Sequence, residues 1–164
     1  MYRQENGAER EDMPTAWILL VESDSDLALL LNQLISEEMG LHCLTVTTCF
    51  AALKITNVLT PSLFLLNEYL PDGDGITLYD RLHSRNDLAK VPAIIMSTLS
   101  GTCQQKVAAR HLTCLGLPFD LDTFLQVIQN YLRPGQRSPL EATSEHALSQ
   151  LEAGNGVSSR RDNW

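Results

Sequence analysis

Five short apolar runs punctuate this chain, and a stretch with helical spacing separates each from the next. The runs fall at residues 17–21, 43–46, 63–66, 93–96 and 113–117. A short apolar run bounded by Pro, Gly or Asp reads as a buried strand. Between the runs, Leu27, Leu30, Leu31, Leu34 and Ile35 repeat at helical spacing, with Gly40 just past their end. Ala51, Ile55, Val58 and Leu59 form a second stripe, stopped by Pro61. Ile76, Tyr79 and Leu82 form a third, residues 102–110 suit a short fourth helix, and Leu121, Phe124, Leu125, Ile128 and Leu132 form a fifth behind Asp120. Parallel strands need crossovers of a dozen or more residues, and crossover helices cover both sheet faces. The expected fold is therefore α/β: a doubly wound, five-stranded parallel sheet flanked by five helices.

The chain has 164 residues, which suits one domain of about 100–200 residues with tails. Residues 1–14 are polar and aperiodic and read as a disordered lead. Residues 15–133 carry the domain. After Pro134 the composition turns to Ser, Gly, Glu and Gln, so residues 134–164 read as a flexible tail with no output domain. Within it, residues 144–152 offer at most one marginal helix. A net charge of −8 lacks the basic footprint that nucleic acid requires and disfavours anionic membranes. No apolar run is long enough to span a bilayer, and the first residues do not form a signal peptide. Cys43, Cys49, Cys103 and Cys114 form no C-x-x-C pair and lie in or beside apolar segments, so they read as free thiols of a cytoplasmic protein. The four histidines show no metal spacing near them.

In open α/β sheets, ligand chemistry gathers at the carboxyl ends of the strands. The residues there are Glu22-Ser23-Asp24 after the first run, Asn67 and the turn Pro71-Asp72-Gly73-Asp74-Gly75 after the third, Ser97 after the fourth, and Leu117-Pro118-Phe119-Asp120 after the fifth. Taken in order over roughly residues 16–133, these stretches resemble the receiver domain of bacterial response regulators, the CheY-like variant of the flavodoxin-like fold.

The resemblance implies a site and a reaction. In the family, two adjacent acids after the first strand and an aspartate ending the third hold Mg²⁺. The aspartate accepts a phosphoryl group, a step that needs a carboxylate nucleophile. A lysine after the fifth strand and a hydroxyl after the fourth contact that group, and an aromatic on the fifth strand follows it. Carried over here, Glu22 keeps the first acid and Ser97 the hydroxyl. Ser23 replaces the second acid, Asn67 the acceptor, Leu117 the lysine and Cys114 the switch aromatic. Asp24 is a residual candidate ligand beside Glu22. Side-chain alternation turns Glu68 away from Asn67, and Asp72 and Asp74 are expected to shape the turn.

The expectation is a degenerate, or pseudo-, receiver: not an enzyme, with no cofactor, no useful Mg²⁺ binding and no catalytic residue. It would act in two-component signalling as a phosphorylation-independent interaction module. Its partners would be histidine kinases or response-regulator components, with a homodimer as one possibility. The family's usual contact face maps to residues 102–110, 113–117 and 120–132. Two alternatives stay open: an active phosphorelay receiver with atypical chemistry, and a small-ligand binder that reuses the vacated pocket.

Overall fold

The computed structural model describes residues 16–98 and 101–133. The lead at 1–14 and the tail at 134–164, with its marginal helix, lie outside the described residues. The elements run β1 (Trp17–Val21), α1 (Ser25–Gln33), a π turn (Leu34–Glu38), β2 (His42–Val46), α2 (Cys49–Ile55) and β3 (Leu63–Asn67). A two-residue ladder joins β4 (Tyr69–Leu70) to β5 (Gly73–Asp74) in antiparallel sense. Then come α3 (Gly75–His83), β6 (Ala93–Ser97), α4 (Gly101–Ala109), β7 (Thr113–Gly116) and α5 (Leu121–Leu132).

The main sheet is parallel throughout, in the order β2-β1-β3-β6-β7. Side chains alternate across it. Leu19, Val21, Phe64, Leu66, Ala93 and Ile95 face one core with α2, α3 and α4. Ile18, Leu20, Leu63, Leu65, Ile94 and Met96 face the other with α1 and α5. The near-continuous apolar runs follow from this arrangement: a strand covered on both faces cannot carry a polar alternate.

Acids fix the helix starts. Asp24, Asp74 and Asp120 cap α1, α3 and α5 with their carboxylates. Asp72 reaches across to α2, accepting the backbone N–H of Cys49 at 2.8 Å and of Phe50 at 2.9 Å. Gly40 ends the first helical segment at φ +64°, a backbone conformation that glycine takes without penalty.

One stripe is shorter than its spacing predicts. Val58 and Leu59 were expected on the second helix, yet α2 stops at Ile55 and Val58 is 82% exposed. The cause is a competing set of hydrogen bonds. The Thr56 hydroxyl donates to the carbonyls of Ala52 and Leu53. The Arg85 guanidinium donates to the Thr56 carbonyl and the Asn57 side chain. These groups satisfy the last turn without further helix.

Candidate functional site

The strand order reverses between β1 and β3, and in such sheets the crevice opens at the carboxyl ends of the strands flanking that point. Glu22 follows β1 and Asn67 ends β3. Both continue the parity of Ile18, Leu20, Leu63 and Leu65, so they lean to the α1/α5 side. There the Asn67 amide Nδ2 donates to Glu22 Oε2 at 2.5 Å, and Asn67 Oδ1 accepts the Tyr69 backbone N–H at 3.0 Å. The pair of partners orients the amide, because only its nitrogen can donate to a carboxylate. The other Glu22 oxygen, Oε1, accepts the Asp24 backbone N–H at 2.8 Å. Glu22 is 1% exposed, so a buried carboxylate has both oxygens bonded by protein donors.

Ser23 is exposed. The Asp24 carboxylate is also exposed and faces the helix start, where its Oδ1 accepts the N–H groups of Asp26 and Leu27 at 3.0 and 2.9 Å. Gly75 closes the loop against the site. A Cβ there would lie 2.3 Å from the Asn67 carbonyl oxygen, so only glycine lets the chain pass, and its N–H donates to the Glu68 carbonyl.

Ser97 and Glu68 take the opposite parity, on the α2/α3/α4 side. Alternation does turn Glu68 from Asn67, but it does not send it to solvent. Glu68 is 7% exposed and accepts a hydrogen bond from the Ser97 hydroxyl. Cys103 of α4 and Cys114 of β7 stand beside this second cluster, each thiol close enough to bear on the other's titration. Burial pushes the Cys114 thiol up to about 11, with the neighbouring Cys103 thiol adding to the effect. Burial likewise raises Cys103. Sequence reasoning missed Glu68 and Cys103 as members of the site. The available signal was a carboxylate placed two residues past the apolar run 63–66.

Leu117 packs its side chain into the α1/α5 core and donates its N–H to the Ser97 carbonyl at 2.7 Å. The Leu117–Pro118 peptide is cis. The sheet end thus carries two hydrogen-bonded carboxylate clusters, Glu22–Asn67 and Glu68–Ser97, on opposite sides. Leu117, at the position the resemblance gives to a lysine, adds no cation. Among the described residues, no group of three or more His, Cys, Asp or Glu side chains is placed to hold a metal ion, and no helix is long and apolar enough to cross a membrane.

Comparison with known proteins agrees with the fold. Residues 18–129 match the family model of the response regulator receiver domain. Sporulation initiation phosphotransferase F of Bacillus subtilis (strain 168) is 28% identical over 117 residues, covering 70% of this chain and 92% of that protein. Among solved structures, chemotaxis response regulator CheY4 of Vibrio cholerae aligns with a TM-score of 0.66 at 18% identity, covering 72% of this chain and 99% of that one. A sensor protein from Polaromonas sp. JS666 aligns at 0.62 and 22% identity, covering 69% of this chain and 92% of that one. At such identities the structural likeness speaks to fold alone.

Proposed function

This chain belongs to the response regulator receiver domain family, and from that premise we propose that it signals by binding protein partners without accepting a phosphoryl group. One observation carries the reading: the Asn67 amide, where the family's reaction needs a carboxylate, is bonded to the remaining acid of the pocket, Glu22. An amide oxygen has no charge to offer an electrophilic phosphorus, and the amide nitrogen's lone pair is delocalised into the carbonyl. Leu117 offers no cation to a phosphoryl oxygen.

The Mg²⁺ that the family implies does not fit these residues. The ion needs near-octahedral oxygen donors, usually including one or two carboxylates. Glu22 is the carboxylate at Asn67, and both its oxygens already accept protein hydrogen bonds. Asp24 caps α1 instead.

The Ser97 hydroxyl supports the same conclusion. In the family this group would follow an arriving phosphoryl. Here the buried Glu68 carboxylate already holds it, so an internal anion occupies the role of the external one. A ligand switches a protein only through unequal affinity for two states, and neither cluster leaves phosphate a differential contact. Partners are taken to be histidine kinases or other response-regulator components, or a second copy. Large apolar side chains are exposed on α1 at Leu29 and Leu30, on and just after α2 at Phe50 and Val58, at Tyr69, and at Leu121, which starts α5 within the face that the resemblance suggests.

The test is intact mass spectrometry after incubation with acetyl phosphate and Mg²⁺, paired with partner affinity measured with and without them. No adduct and equal affinities are the expected result. A stoichiometric phosphoryl adduct, or a tenfold affinity change (about 1.4 kcal/mol) that disappears in Asn67→Ala, would overturn the proposal.

A further inference from the structure

A cavity of about 360 Å³ opens at the other end of the sheet, among the ends of α3, α4 and α5 and the starts of β6 and β7. Ala93 begins β6 and Ser97 ends it, so this cavity lies about 13 Å along the strand from the clusters described above, at roughly 3.3 Å per residue. Its volume falls in the range of about 300–1,000 Å³ usual for small-molecule sites.

The lining is unusual for this acidic chain. Among the described residues it gathers Lys90, Arg110, His83 and His111 with Tyr79, Tyr131 and Asn130, and includes no carboxylate. Tyr79 and His83 stand ring against ring, with centroids 4.0 Å apart. His83 Nε2 lies 2.7 Å from the Val91 carbonyl. A carbonyl only accepts, so Nε2 carries the hydrogen, and in the neutral ring Nδ1 is left as an acceptor. Burial lowers the His83 pKa, which favours that neutral ring. Arg110 gives three of its five N–H groups to Asp80 and the Lys106 carbonyl, so Asp80 balances its charge. Lys90 makes no ion pair among the described residues and is the uncompensated cation of the wall.

We infer that this cavity binds a small planar aromatic anion, one or two rings carrying a carboxylate or a phosphate. The ring stacks on the tyrosine and histidine faces, and the anion meets Lys90 and the free N–H groups of Arg110. Asn130 supplies an amide for orientation. A net charge of −8 repels anions at a distance, so recognition depends on this local cluster and weakens with salt. The site is independent of Asn67 and of the interaction reading.

The experiment uses the full chain, isotope-labelled, observed by amide NMR. Four probes are titrated: indole-3-carboxylate and adenosine 5′-monophosphate, with indole and adenosine as their neutral counterparts. The expected result is saturable shifts at Lys90, His111, Asn130 and Tyr131 with at least one anion, and binding of its neutral counterpart about tenfold weaker. Saturation by the nucleotide alone assigns a nucleotide ligand, and saturation by the indole acid alone an aromatic acid. Lys90 is exposed, so Lys90→Gln should fold normally and weaken the anion about fivefold or more while leaving the neutral compound unaffected. The proposal is overturned if neither anion saturates, if the shifts map to the Asn67 end, or if Lys90→Gln binds the anion as well as the parent.

Discussion

Replacing Asn67 by Asp changes one atom and should be among the more damaging conservative substitutions in this domain. The Nδ2 that now donates to Glu22 Oε2 at 2.5 Å becomes a second carboxylate oxygen. The two charge centres would sit about 4 Å apart, and at an effective dielectric near 20 their repulsion is about 4 kcal/mol. Rotation of the new side chain and proton uptake relieve part of it. In chelator at about pH 8 we expect a loss of ~2–4 kcal/mol. The pH dependence gives the sign. Repulsion raises one carboxyl's folded pKa, and 4 kcal/mol corresponds to about three pKa units above the unfolded value near 4. Between those values the folded state holds more protons than the unfolded state, so the variant loses stability as pH rises. Near pH 4 a shared proton restores a hydrogen bond, and most of the deficit should vanish. Urea denaturation at about pH 4 and about pH 8 measures this, with Asn67→Ala as a control that adds no charge and should show little pH dependence. Millimolar Mg²⁺ should recover part of the loss at the higher pH, because the variant regains a second carboxylate. An aspartate variant as stable as the parent at about pH 8, or a deficit that does not change with pH, would refute the electrostatic account.

Gly75→Ala should lose about 1–3 kcal/mol or more, since the new Cβ meets the Asn67 carbonyl at 2.3 Å and backbone on both sides must shift; a urea midpoint within error of the parent would count against this close approach. Asp74→Ala removes the cap of α3 and should lose about 1 kcal/mol near neutral pH. Burial pushes the Asp74 pKa up, but the donors from Thr77 and Ile76 outweigh it and hold it low, so the cap's contribution is present above the unfolded carboxylate pKa and fades as pH falls through the folded one; parallel stability–pH curves for parent and variant would contradict this. Burial raises Cys43, Cys49 and Cys114 to about 11, leaving little thiolate at about pH 8. A disulfide reagent should therefore label them slowly in the folded protein and at once in urea; rapid labelling of the folded chain would argue against their burial.

Much of the fold was legible because it depends on local patterns. A strand covered on both faces must be apolar at every position, and a helix on one face must repeat near every third or fourth residue. Residues 17–21 and 63–66 therefore announced β1 and β3, and Gly40 and Asp120 marked helix ends. The second stripe ran past its helix because the groups that stop α2 include Arg85, which is distant in sequence. The residue types at Ser23, Asn67, Cys114 and Leu117 were also legible, since a residue's chemical type needs no coordinates.

What the side chains do with each other was not legible. Nothing local says that Asn67 closes on Glu22, that Asp24 serves a helix rather than the pocket, or that Glu68 turns inward onto Ser97. Asp72 read as a turn residue, and only the packed structure brings it to the start of α2, more than twenty positions earlier. The basic, aromatic cavity draws on residues 79–93, 110–112 and 130–131, segments that share no motif and meet only because three helices end above two strand starts. Periodicity and residue type act within a few positions of each other and are written in the chain. Hydrogen-bond partners and cavities depend on distances between residues far apart in sequence, and those distances exist only once the sheet has set its order.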